Sequence, residues 1–172
     1  PSLTSHAWNS RLFPDFGKPA NPGRGVIAIA QSESLLYNPS MEKRYFSYQE
    51  IHKTAKSMAE LIAAEGFDPD VIVAIGKGGF IPARIIRTFL GAPILAVGIA
   101  YYDANDKPTE FPRKVQWIEE AERKLAGKKI LLIDEVDDSR TTLEYCIREL
   151  LKHKPAVIAV SVRCGHRTEL PA

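Results

Sequence analysis

Along the chain, short uninterrupted aliphatic runs alternate with segments whose apolar residues recur every three or four positions. VIVAI (71–75), ILAVGIAYY (94–102), residues 129–133 and AVIAVSV (156–162) are the aliphatic runs. Runs this short, rich in β-branched residues and lacking polar alternation, predict strands buried on both faces. Between them, SYQE (Ser47 to Glu50) has capping-box form, and Ile51, Ala55, Met58 and Ile62 then line one helical face until Gly66. A second helix is predicted from Pro82, a good first-turn residue, through Ile85, Ile86, Phe89 and Leu90 to Gly91. A third carries Leu143, Cys146, Ile147, Leu150 and Leu151 and stops before Pro155. Residues 103–128 are polar and irregular, with Pro108 and Pro112, and predict a long functional loop. Strand–helix alternation of this kind predicts an α/β fold, a parallel sheet flanked by helices with ligands at the carboxyl ends of its strands.

Residues 1–40 hold five of the twelve prolines (Pro1, Pro14, Pro19, Pro22, Pro39) and show no helical or strand period beyond a short apolar patch, Val26 to Ala30. They read as an irregular N-terminal extension, and the domain is expected to occupy residues 41–172, with Met41 a candidate natural start. The remaining composition suits one globular domain: 172 residues with 45% hydrophobic and 26% charged side chains can bury roughly two thirds of the unfolded surface. A formal net charge of +2 is too balanced for the single-sign field that grips a nucleic-acid backbone, so no nucleic-acid partner is expected. No apolar run approaches the roughly 18–20 residues needed to span a bilayer, which argues against a membrane partner. Cys146 and Cys164 lack C-x-x-C spacing, and Cys146 falls on the inward face of a predicted helix; a reducing cytoplasm is the expected location. His52, His153 and His166 have no metal-ligand spacing with one another or with the cysteines.

Two loops at predicted strand ends carry the chemistry. In ILLIDEVDDSRTT (130–142) an aliphatic run breaks into Asp134, Glu135, Asp137 and Asp138, then into Ser139, Arg140, Thr141 and Thr142. The last four open a helix directly after a strand, where free backbone N–H groups, hydroxyls and the positive helix end cradle a phosphate. An ordinary N-cap by Ser139 or Thr141 is the simpler alternative. The carboxylates would repel a phosphate and so must face sugar hydroxyls, a divalent cation or a developing positive charge; a solvated turn is their alternative. The second loop is GKGG (Gly76, Lys77, Gly78, Gly79), where glycines let the backbone approach a ligand and Lys77 can meet another anion; a tight structural turn would use the same residues. It fits neither G-x-G-x-x-G, since Ile81 stands where the third glycine belongs, nor the P-loop. Two anion sites at neighbouring strand ends suggest a bis-phosphorylated ligand.

ILLIDEVDDSRTT resembles the phosphoribosyl pyrophosphate signature of the type I phosphoribosyltransferases. IGKGGFIPAR (75–84) is similar to the pyrophosphate loop of their 6-oxopurine members, and with QWIEE (116–120) the chain looks most like the fungal-type hypoxanthine-guanine and xanthine-guanine enzymes over roughly residues 43–162. The resemblance implies a purine-salvage glycosyltransferase that moves 5-phosphoribosyl from phosphoribosyl pyrophosphate to hypoxanthine, guanine or xanthine, on a Rossmann-like core, with Mg²⁺ as cofactor and as a homodimer. It implies that Asp134 and Glu135 hold the ribose hydroxyls and help place the metal. Ser139, Arg140, Thr141 and Thr142 would take the 5′-phosphate, and Lys77 and Gly78 with neighbouring amides the pyrophosphate. Asp138 would be the general base or proton relay at the purine, and residues 103–120 a lid, in which Trp117 is either a working part or a plain hydrophobic anchor.

The match also has departures. Arg140 stands where many members have glycine and reads as an added phosphate ligand, as in fungal-type members. Beyond the last strand, where purine enzymes place a lysine on the 6-oxo group, this chain has Arg163, which would substitute as donor or else belong to a solvated tail. The C-terminal hood that usually completes the base site is expected to be absent, its place taken by residues 1–40 or a partner subunit unless the chain is a truncated inactive piece. Two rivals stand beside the enzyme: a non-catalytic regulator sensing phosphoribosyl pyrophosphate, and a receiver-like signalling domain with Asp134 as phosphoacceptor, which leaves SRTT without a task.

Overall fold

The computed structural model describes residues 25–28, 46–76, 78–103, 107–137 and 141–164. The elements run β1 (Gly25–Ala28), α1 (Tyr48–Ala64), β2 (Val71–Gly76), α2 (Phe80–Leu90), β3 (Ile94–Tyr102), β4 (Pro108–Gln116), α3 (Ala121–Leu125), β5 (Lys129–Asp137), α4 (Thr141–Leu151) and β6 (Val157–Cys164). They build one six-stranded sheet of order β1-β6-β5-β2-β3-β4, parallel throughout except for β4, which runs antiparallel to β3.

Alternation along each central strand divides the core into two layers. Val71, Val73 and Ile75 of β2, with Ile130 and Leu132 of β5, pack with Leu143, Cys146, Ile147 and Leu150 of α4 and with Ala121 and Leu125 of α3. Ile72 and Ala74, with Leu131 and Ile133, pack on Ala55, Met58, Ala59 and Ile62 of α1 and on Ala83 and Ile86 of α2. Both strands are buried on both faces, as the unbroken aliphatic runs predict. The starts of β2 and β5 are tied together where the Lys129 amide donates to Asp70 Oδ2 at 2.8 Å.

The first helix has the expected capping box: Ser47 Oγ accepts from the Glu50 amide at 3.2 Å, and Glu50 Oε2 accepts from the Ser47 amide at 2.8 Å. Helix α2 starts at Phe80, two residues before the expected Pro82. Proline fits there because its missing N–H falls among the first-turn groups that have no intrahelical partner. It ends at Gly91, whose φ of 76° terminates a helix at no steric cost for glycine.

Two expectations are corrected. Residues 103–128 are not one irregular loop: 108–116 form β4 and 121–125 form α3. The strand escaped detection because it is the sheet edge, exposed along nearly its whole length, so it has no hydrophobic alternation, and an edge tolerates Pro108 and Pro112. Within the same stretch Trp117 is a hydrophobic anchor, packed against the α3–α4 layer of the core. Second, Gly25–Ala28, inside the segment read as an irregular extension, form β1, paired in parallel with Val157–Val160 of β6.

Candidate active site

Chain direction over the sheet creates the site. From β2 the chain passes through α2 to its neighbour β3 on one side; from β5 it passes through α4 to β6 on the other, with α2 and α4 on opposite faces. Strands β2 and β5 are themselves adjacent, paired up to Ala74 and Ile133. This is the point where strand order reverses, and the crevice outside it is the ligand position of open α/β sheets. GKGG leaves β2 there and the acidic cluster leaves β5 there.

The two loops touch. A Cβ placed on Gly78 would fall inside the Glu135 carboxylate, overlapping its Cδ and both oxygens. A Cβ on Gly79 would lie 2.6 Å from the Ile75 carbonyl oxygen and 2.7 Å from that of Ile133, so this glycine is wedged between the ends of β2 and β5. A Cβ on Gly76 would meet the Phe80 ring at 2.6 Å. Backbone conformation does not demand these glycines, since Gly79 has an ordinary helical φ of −62°. Close approach does.

Among the acids, Asp134 is half-buried and Glu135 exposed, so Glu135 faces outward over Gly78. Asp134 Oδ1 accepts from the Glu135 amide at 3.0 Å, which fixes the turn of the chain between the two carboxylates. Between Asp134, opposite Val162, and Asp137, opposite Cys164, the β5–β6 register shifts, the local irregularity by which a strand end re-aims its side chains. Thr141 and Thr142, both half-buried, open α4 and present its first-turn amides towards the same end of the sheet. Arg163 lies on β6 between those two register points. Lys77, Asp138, Ser139 and Arg140 lie outside the described residues, as do residues 165–172, where a hood would begin.

One charged group here was not foreseen. Glu149 of α4 is 8% exposed and is bonded both to Lys114 Nζ of β4, at 2.8 Å, and to Lys152. Those two hydrogen bonds hold its carboxyl below the usual range, and the same bond holds the Lys114 ammonium above its own. Lys152 is visible in sequence as an i,i+3 partner; Lys114, 35 positions away, is not. Cys146 is fully buried, and burial first, then the Asp134 and Glu149 charges, push its thiol far upward, so it is an inert core residue as expected.

Comparison with known proteins gives the same architecture. The phosphoribosyl transferase domain matches residues 43–171. The hypoxanthine-guanine phosphoribosyltransferase of Schizosaccharomyces pombe is 49% identical over 121 residues, 62% of this chain and 58% of that protein. Xanthine phosphoribosyltransferase 1 of Saccharomyces cerevisiae is 42% identical over 128 residues, 64% of this chain and 61% of that protein. The chain thus spans about three fifths of the length of these curated relatives. Among solved structures, a hypothetical protein from Neisseria gonorrhoeae with bound ppGpp superposes with a TM-score of 0.62 at 43% identity, covering 73% of this chain and 76% of that one. The purine phosphoribosyltransferase from Pyrococcus horikoshii Ot3 superposes with a TM-score of 0.60 at 27% identity, covering 71% and 77%. A glycine loop and an acidic strand end meeting at the switch point of this sheet, and a family match running from before α1 to past β6, lead to one conclusion: the chain belongs to the phosphoribosyl transferase domain family.

Proposed function

We propose that the protein transfers the 5-phosphoribosyl group from phosphoribosyl pyrophosphate to the imidazole nitrogen of a 6-oxopurine, giving a nucleoside monophosphate and pyrophosphate. The observation that carries this reading is the apposition of Glu135 to Gly78 at the switch point. A sugar-binding carboxylate beside a backbone loop open to an anion is what a ribose bearing a pyrophosphate at C1′ requires. The curated relatives named above support a purine as acceptor.

In this reading Asp134 and Glu135 take the ribose 2′- and 3′-hydroxyls, and the loop Gly76, Lys77, Gly78 and Gly79 takes the pyrophosphate through Lys77 and the Gly78 amide, while the Gly79 amide donates to the Ile75 carbonyl at 3.0 Å and holds the turn. The first turn of α4, with Ser139, Arg140, Thr141 and Thr142, takes the 5′-phosphate, three negative groups thereby meeting N–H donors and cations. The bond from C1′ to the pyrophosphate oxygen breaks as the purine nitrogen closes on C1′, and the proton of that nitrogen passes to Asp138. Positive charge grows on the ribose, where carboxylates stabilise it, and negative charge leaves towards Lys77. Arg163, at the end of β6, donates to the 6-oxo oxygen.

The donor set fits Mg²⁺. Among the described residues no three His, Cys, Asp or Glu side chains form a cage, whereas Mg²⁺ typically binds through one or two carboxylates plus substrate phosphates. Asp134 and Glu135 would be those carboxylates, and the ion would supply charge neutralisation for the pyrophosphate. No described helix is long and apolar enough to cross a membrane. A homodimer working in the cytoplasm, with residues 41–172 supplying the core apart from β1, completes the proposal.

The test is pyrophosphate release from phosphoribosyl pyrophosphate and Mg²⁺ with guanine, hypoxanthine, xanthine, adenine or no base. Release confined to 6-oxopurines supports the reading; binding without release under every base overturns it. One finding favours a second reading, a sensor of nucleotides carrying pyrophosphate groups: the 43% identical gonococcal structure holds ppGpp. Displacement of phosphoribosyl pyrophosphate by ppGpp, with no turnover, would select that reading.

A further inference from the structure

The hairpin formed by β3 and β4 projects from the sheet at the ligand end. Strand β3 stays paired with β2 only as far as Gly98, which lies opposite Gly76, and then continues alone with β4 to Tyr102. The β3–β4 register shifts between Gly98 and Ile99 and again between Ala100 and Tyr102, so the arm leaves the sheet through two irregularities. Such bulges bend a strand, so the arm's angle depends on what holds its root, where Ile99 packs on the α3–α4 layer of the core. A polar contact holds the other strand of that root.

Lys114 sits opposite Ile99, the first residue of β3 past its last β2 partner, and so marks the root of the arm. Its ammonium donates to Glu149 at 2.8 Å and lies 4.9 Å from the centroid of the Trp117 ring. Trp117 in turn packs on the core and beside His153, whose Nδ1 is 3.2 Å from Glu122 Oε1 of α3. Glu149 and His153 belong to the C-terminal half of α4 and the turn after it, and the opposite end of α4 opens with Thr141 and Thr142. One helix thus holds the phosphate position at its start and the arm's root at its end. We propose that Glu149 is a positioning residue that, through Lys114, pins the root of the β3–β4 arm to α4 and sets the arm's approach to the bound phosphoribosyl group. The consequence for turnover rests on the function proposed above; the clamp itself does not. A correctly seated arm excludes water from the cationic ribose, so a loosened one lets water capture it.

The two lysines separate this role from general charge compensation of a buried carboxylate. Lys152 lies in the turn directly after α4 and, among the described residues, bonds only to Glu149, whereas Lys114 links helix to arm. The experiment compares Lys114→Met with Lys152→Met by hydrogen exchange of the arm amides, residues 99–103, 107, 109–111 and 113, and by the ratio of base-independent phosphoribosyl pyrophosphate hydrolysis to nucleotide formed. Lys114→Met is expected to speed arm exchange about tenfold, as loss of one charge-assisted hydrogen bond allows, and to raise that ratio by a similar factor. Lys152→Met should leave both within about twofold, and thermal melting reports the fold of each variant. Equal effects of the two variants, or no effect of Lys114→Met on the arm, would overturn the proposal. A wild-type protein that makes no nucleotide would refute the proposed function instead, while the exchange comparison still decides the clamp.

Discussion

Gly78→Ala and Gly79→Ala, one residue apart, should fail in opposite ways. At Gly79 the new methyl would lie 2.6 and 2.7 Å from two backbone carbonyl oxygens, those of Ile75 and Ile133, in the two most deeply buried strands. Neither can yield without parting β2 from β5, so the cost is that of overpacking a tight core, about 1–3 kcal/mol. For a domain this size that lowers Tm by roughly 2–4 °C per kcal/mol, or about 2–12 °C. At Gly78 the methyl collides instead with the end of the flexible, exposed Glu135 side chain, which can swing aside. Helical or turn glycine to alanine is otherwise neutral to mildly stabilising, so Tm should move by less than about 2 °C. What is lost is the carboxylate's position: one hydrogen bond from the ribose to a charged group is worth about 1.5–3 kcal/mol, roughly 10- to 150-fold in affinity. Thermal unfolding of both variants, with and without phosphoribosyl pyrophosphate and Mg²⁺, checks this. Wild-type and Gly79→Ala proteins should gain Tm from the ligand and Gly78→Ala should gain far less. A Gly78→Ala protein that melts as low as Gly79→Ala, or binds as well as wild type, refutes the steric argument.

Other outcomes follow from the same geometry. Asp138→Asn should spare phosphoribosyl pyrophosphate binding by calorimetry and cut turnover about 10²- to 10⁴-fold. Because its bonds to Lys114 and Lys152 lower the folded-state pKa of Glu149, its contribution to stability is fully present above the ordinary carboxylate range and is lost as pH falls through the lower folded value. Glu149→Gln should therefore flatten the acid limb of Tm against pH and change its steepness least above pH 6, by differential scanning calorimetry. In a Cys164→Ser background, Cys146, buried and with its thiol pushed upward, should react with a disulfide reagent only at the rate of unfolding. Ser47→Ala removes the α1 cap and should cost about 1 kcal/mol by urea denaturation.

How much was legible depended on whether a residue's partners are near in sequence. The capping box of α1, the aliphatic cores of β2 and β5 and the inward stripe of α4, apart from the exposed Leu151, are local patterns, and they were readable. So was the pairing of two loops with the carboxyl ends of their strands, because strand–helix alternation fixes direction. Strand β4 was not, since an exposed edge strand lacks alternation and its prolines argue against it. Glu149 was hidden for another reason: its burial depends on Lys114, brought near only by folding. That the two loops lie at neighbouring strand ends was expected; the contact between Gly78 and Glu135 was not, since it depends on the β2–β5 adjacency, which the sequence pattern alone does not specify.

The pairing of β1 with β6 joins residues 25–28 to residues 157–160, across nearly the whole described chain. Closing so long a loop rewards the chain only after the intervening strands have assembled, so this strand should dock last in folding. Until it docks, β6 presents an unpaired row of amides and carbonyls beside Ile158, Ala159 and Val160, a template on which another chain can add. Residues 25–28 therefore act as a cover on the growing sheet, and a chain begun at Met41 is expected to self-associate in light scattering at concentrations where the longer chain stays dispersed.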